Sequence, residues 1–126
     1  MKRGLLLCIA TMLFLPGCSR GGIEEADEIT INEMLSFWDV KPDSTMTITE
    51  AEDIEILIEG IESAKKEPGM VDVMDPEFEL LIGDRKFYLW FIGPGSVMDQ
   101  EDTHTLYTLK NGVREQFEEI VLPEFE

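Results

Sequence analysis

Sulfur and imidazole chemistry have little to work with in this chain, which holds two cysteines and one histidine in 126 residues. Basic residues are also scarce, 10 Lys and Arg against 27 Asp and Glu, for a formal net charge of −17. Nucleic-acid binding draws most of its affinity from lysines and arginines that displace counterions, so DNA and RNA are excluded as partners. Long apolar runs are missing as well. The longest, Leu5 to Leu15, rises only about 16 Å as a helix, well short of the roughly 30 Å hydrocarbon layer. A chain of this length makes one domain, large enough to bury a core without disulfides or metal.

The apolar run has another reading. It follows Lys2 and Arg3 and ends in Leu15-Pro16-Gly17-Cys18, which is the architecture of a cleaved signal peptide. These four residues resemble the bacterial lipobox, with Pro16 standing where a small residue is usual. The resemblance implies cleavage after residue 17 and lipid, palmitate included, on Cys18. Two acyl chains suffice for stable anchoring where one does not. The alternative is an ordinary secretory signal that leaves a free thiol at Cys18. On the lipobox reading the chain divides into a signal peptide 1–17, a lipidated cysteine with a flexible acidic tether 18–27, and one domain 28–126. Its expected place is the outer, extracytoplasmic face of the cell membrane. Cys8 leaves with the signal and Cys18 carries lipid, so no disulfide, catalytic thiolate or cysteine metal site remains. Cleavage also removes two bases and no acid, taking the net charge from −17 to −19. The partners this implies are the membrane through the anchor, and a cell-envelope protein or a cation.

The domain reads as α+β. Ile29, Ile31, Leu35 and Phe37 alternate with polar residues and Trp38, predicting an extended strand over 29–40 in which Glu33 is the exception. Lys41-Pro42-Asp43-Ser44 is turn chemistry, and residues 45–48 form a short second strand. Thr49 and Glu52 make a capping box, and Ile54, Leu57, Ile58 and Ile61 recur at helical spacing. Lys65 and Lys66 suit a last turn before Pro68-Gly69, so the helix is placed at 50–66. Residues 78–82 and 86–92 form a hairpin. The second strand is apolar on both sides, Phe87, Leu89 and Phe91 against Tyr88, Trp90 and Ile92, and so belongs at the centre of the sheet. After a loop at 93–103 comes a strand at 104–109. A final helix, spaced by Val113, Phe117, Ile120 and Val121, ends before Pro123. The whole predicts an antiparallel sheet of about five strands with two helices packed on one face.

Sites are sparse. If helices cover one face only, the other offers Tyr88, Trp90 and Tyr107 as a contact surface. The competing arrangement folds residues 29–40, with Phe37 and Trp38, over that face and turns it into core. Loop 99–104, Asp99-Gln100-Glu101-Asp102-Thr103-His104, carries carboxylates but neither EF-hand spacing nor a central glycine, and reads as a solvated acidic loop rather than a metal site. Ser36, Ser44, Ser63 and Ser96 lie outside any nucleophile elbow. No catalytic residue, metal ligand or cofactor is assigned.

Asp53-Ile54, Ala64, Pro68-Gly69, Val71-Asp72-Val73, Asp75-Pro76, Tyr88-Leu89-Trp90 and residues 101–107 resemble, across Thr47 to Ile120, the YhfM-like small lipoproteins of bacilli. The resemblance implies a membrane-anchored domain on the secreted side and carries no activity. Two functions are therefore weighed, with the first preferred: a non-enzymatic binding or accessory module, and a small cell-envelope hydrolase using carboxylates, with or without a divalent cation.

Overall fold

The computed structural model describes Ile23, residues 26–69 and residues 73–125. Residues 1–17, read from sequence as a signal peptide, and Cys18 lie outside the described residues. The chain order is β1 (Ile29–Glu33), β2 (Met46–Ile48), α1 (Ala51–Glu62), β3 (Lys65–Lys66), β4 (Phe78–Ile82), β5 (Arg85–Trp90), β6 (Ser96–Asp99), β7 (Tyr107–Thr108) and α2 (Val113–Val121), closed by a 3-10 turn at Leu122–Phe125. The strands form one antiparallel sheet in the order β2-β1-β4-β5-β6-β7-β3. The fold is α+β, with seven strands instead of about five.

Register explains the layering. Phe78 faces Leu89, Leu80 faces Phe87, and Leu89 faces Val97, so one side of the sheet carries a continuous apolar stripe. Ile54, Leu57 and Ile61 of α1 and Phe117, Ile120 and Val121 of α2 join that stripe in a single core. Both helices thus cover the same face. Strand β5 is the middle of seven, as its two-sided apolar pattern requires. The β4–β5 connection is a two-residue turn, Gly83-Asp84, in which Gly83 takes a φ of 62° that only glycine adopts without strain.

Five sequence expectations are corrected. Helix α1 ends at Glu62, not residue 66, because Lys65 and Lys66 pair with Thr108 and Tyr107 as a sheet-edge strand. Its start is Ala51 with Glu50 at the N-cap and no side-chain capping bond, so the Thr49 capping box does not form. Strand β1 stops at Glu33, and a Met34–Val40 bridge closes a short hairpin loop where strand was expected. Loop 93–103 contains β6, and the strand expected at 104–109 shrinks to β7.

The chain that precedes β1 touches the core. Ile23 and Ala26, inside the segment read as a tether, pack against the helix-side core, and the Ile23 amide donates to Glu62 Oε2 at 2.8 Å.

Candidate binding surface

The helix-free face of the sheet carries a second, smaller core. Tyr88, Trp90 and Met98 are buried there, 7%, 3% and 1% exposed, with Met34, Phe37, Val73 and Leu106 packed around them. Of the two arrangements open from sequence, the covered one is found. The expectation that Tyr88 and Trp90 form an exposed contact surface is therefore corrected. Tyr107 separates from them, since its partner Val97 belongs to the helix-side stripe. The three residues expected to form the contact surface do not share a face.

The cover is Phe37. Its ring meets Tyr88 edge-on at 5.2 Å and lies 6.0 Å from Trp90, geometries favoured by aromatic quadrupoles. The Tyr88 hydroxyl donates to the Phe37 carbonyl at 2.9 Å, and the Trp90 indole N–H donates to the Met74 carbonyl at 2.8 Å. Both polar tips of the buried rings are thus satisfied by the segments that cover them. Burial of the phenol, and secondarily the nearby Glu79 carboxylate, push the Tyr88 pKa above its ordinary 10.0.

Beside this cluster lies a polar network centred on the buried Asn32 and Glu79. Glu79 accepts from Asn32 Nδ2 at 2.9 Å and from Gln100 Nε2 at 2.8 Å, while Thr45 donates to Asn32 Oδ1 at 2.5 Å. It ties β1, β4, the turn after β6 and the approach to β2 together across the sheet.

Clamping Phe37 inward has a consequence for its neighbour. In the tight loop 35–39 the next side chain must point away, and Trp38 is 87% exposed. The loop is built rather than slack. Leu35 N–H donates to Asp39 O at 2.8 Å, and the Trp38 amide donates to Ser36 Oγ at 3.1 Å. Leu35 and Val40 are exposed on the same loop, and Met74 is exposed beside the Trp90 contact. Around them Asp39, Asp43 and Asp75 stand in solvent. The surface is a rigid apolar tip with an acidic rim. The sequence groups Trp38 with Phe37 as cover; the bridge between Met34 and Val40 breaks the strand alternation at 35–39, so period-two spacing does not tell which of the two rings turns inward.

On the helix side, a cleft of about 320 Å³ is lined by Ile23, Ala64, Arg85, Phe87, Asp102 and Tyr107 among others. Arg85 pairs with Asp99 at 2.8 Å and sits 5.0 Å from the Phe87 ring centroid. Asp99 Oδ1 also accepts the Glu101 amide at 2.8 Å, and Asp102 Oδ1 accepts the His104 amide at 3.3 Å. These bonds fold the acidic loop back on itself. Among the described residues no three His, Cys, Asp or Glu side chains converge as a metal site, and no helix is long and apolar enough to cross a membrane.

The fold and this surface define a small α+β domain with a covered aromatic sheet face and a presented tryptophan loop. The chain belongs to the YhfM protein family, whose profile matches residues 24–124. No curated protein and no solved structure matches it.

Proposed function

We propose that the protein is a lipid-anchored extracytoplasmic accessory module, non-enzymatic, that binds a cell-envelope protein through the Trp38 loop. The observation that carries this reading is the outward Trp38 on a loop fastened from beneath by Phe37. Leaving an indole in water on a rigid loop wastes apolar area that the buried face nearby uses fully, whereas tryptophan is among the residues that dominate interface energetics. A preformed loop also binds without the entropy cost of ordering it. The acidic rim selects a partner whose apolar cleft is edged with lysine or arginine. Lipidation at Cys18 supplies the location.

Two substitutions test the two halves. Cys18→Ala is expected to release the domain from the membrane fraction or leave it unprocessed; cleaved, membrane-bound protein contradicts the anchor. Trp38→Ala is expected to abolish partner capture by full-length protein in cells while unfolding stays within about 0.5 kcal/mol of wild type, as for an exposed site. Capture at wild-type level contradicts the surface.

A further inference from the structure

The way the domain sits on the membrane can be read from where its N-terminal arm leaves the folded surface. Ile23 is fixed over α1, packed on the core and hydrogen-bonded through its amide to Glu62. From Cys18 to Ile23 is five residues, which reach at most about 18 Å. Helices and the Trp38 loop lie on opposite faces of the sheet. A lipid on Cys18 therefore holds the α1 side near the bilayer, and the sheet stands between the bilayer and Trp38.

Charge then decides which part of that side touches lipid. Three of the basic side chains of this acidic chain, Lys65, Lys66 and Lys110, gather at the β3–β7 edge, directly after the end of α1 where Ile23 docks. Lys65, Lys66 and Lys110 are exposed. The two carboxylates within that edge, Glu62 and Glu67, accept hydrogen bonds from the Ile23 amide and the Thr108 hydroxyl. Glu55 and Glu59, on the α1 face against which Ile23 lies, are exposed. The field of an anionic leaflet falls off within about 8 Å at physiological salt, so it attracts the lysine edge, repels the α1 carboxylates, and is escaped by those carboxylates once the domain tilts.

We propose that the β3–β7 edge, through Lys65, Lys66 and Lys110, docks on anionic lipid headgroups and tilts the acidic face of α1 away, so that the Trp38 loop faces outward. This rests on the lipid-anchor reading and says which surface the anchor presents. The occupant is a lipid surface because the arm is too short to bring another face of the domain to the bilayer.

The test uses full-length lipidated protein on vesicles of phosphatidylglycerol and phosphatidylethanolamine that carry a headgroup quencher. Once Cys8 is cleaved off and Cys18 lipidated, an introduced cysteine is the only free thiol, and a fluorophore is placed at Asn111→Cys beside Lys110 or at Asp75→Cys beside Met74. Flotation reports the anchor separately from the quenching. Expected is at least about fivefold stronger quenching at 111 than at 75, lost in a K65E/K66E/K110E variant that still floats. Equal quenching at the two positions, in protein that floats, overturns the orientation alone. Strong quenching at 111 that survives the triple variant overturns the role of the lysines. Protein that fails to float overturns the anchor and this proposal with it.

Discussion

Phe37 is the side chain on which both the sheet cover and the Trp38 presentation depend, so Phe37→Ala is the most informative single perturbation. The ring is half-buried. A fully buried phenylalanine cut to alanine costs about 3–5 kcal/mol, and half of that burial brings the transfer and cavity part to about 2 kcal/mol. Loss of the edge-on contact with Tyr88 at 5.2 Å adds about 0.5–1 kcal/mol. The Tyr88 hydrogen bond is to the Phe37 main-chain carbonyl and is available to alanine. The expected destabilisation is thus about 2–3 kcal/mol, which lowers the melting temperature of a domain this size by roughly 10–15 °C. Denaturant unfolding measures the first quantity. A second readout separates uncovering from plain destabilisation: in a Trp38→Phe background, Trp90 is the remaining tryptophan, and acrylamide should begin to quench it well below the unfolding transition. A loss under about 0.5 kcal/mol with Trp90 still shielded would refute the reasoning, because the cover would then not depend on this ring.

Further perturbations probe other layers. Gly60→Ala in α1 should destabilise by about 1–3 kcal/mol in thermal unfolding, although alanine gains about 1 kcal/mol of helix propensity, because the new methyl would stand 2.5 and 2.6 Å from Cε1 and Cζ of the buried Phe117; unchanged or raised stability would show that α2 yields. Glu79→Ala strands Asn32 Nδ2 and Gln100 Nε2 inside the sheet cover and should cost about 2–4 kcal/mol in denaturant unfolding, at about 1–2 kcal/mol per unpaired donor; a loss below about 1 kcal/mol would show that water reaches them. The raised Tyr88 pKa carries a sign for alkaline stability: below pH 10 both states hold the phenol proton, and above it the unfolded chain releases that proton first, so stability falls as pH rises from 10 towards the higher folded value. Tyr88→Phe should flatten that fall while losing about 1 kcal/mol at neutral pH with the bond to Phe37 O; an unchanged alkaline slope would contradict it.

What could be read from residues alone follows the strength of local periodicity. The apolar spacing of α1 and α2, the alternation of β4 and β5 and the central place of β5 are all visible because burial on one or both faces repeats over at least five residues. β3, β7 and β6 are two to four residues long, too short for any repeat. β3 and β7 exist through ladder bonds to each other across some forty residues, with Glu67 N–H donating to Leu106 O at 2.8 Å beside them, and β6 through its pairing with β5. Lys65 and Lys66 carry the composition of a helix end and are drawn into the sheet by β7, a tertiary choice that propensity does not contain. The candidate surface is half legible. An aromatic cluster was visible in Tyr88 and Trp90, with residues 29–40 as one way to cover it. Which of Phe37 and Trp38 turned inward depended on the hairpin at Met34 and Val40, and that hairpin interrupts a segment whose alternation reads as strand.

The central claim, that the Trp38 loop is a protein-binding surface, is tested most directly by photo-crosslinking in cells from position 35, adjacent to Trp38 and itself exposed, in the full-length protein. One stoichiometric protein adduct is predicted, lost on Trp38→Ala and absent when the crosslinker is moved to Asn111 at the opposite side of the sheet. No adduct from position 35, or one that persists without the indole, would contradict the account.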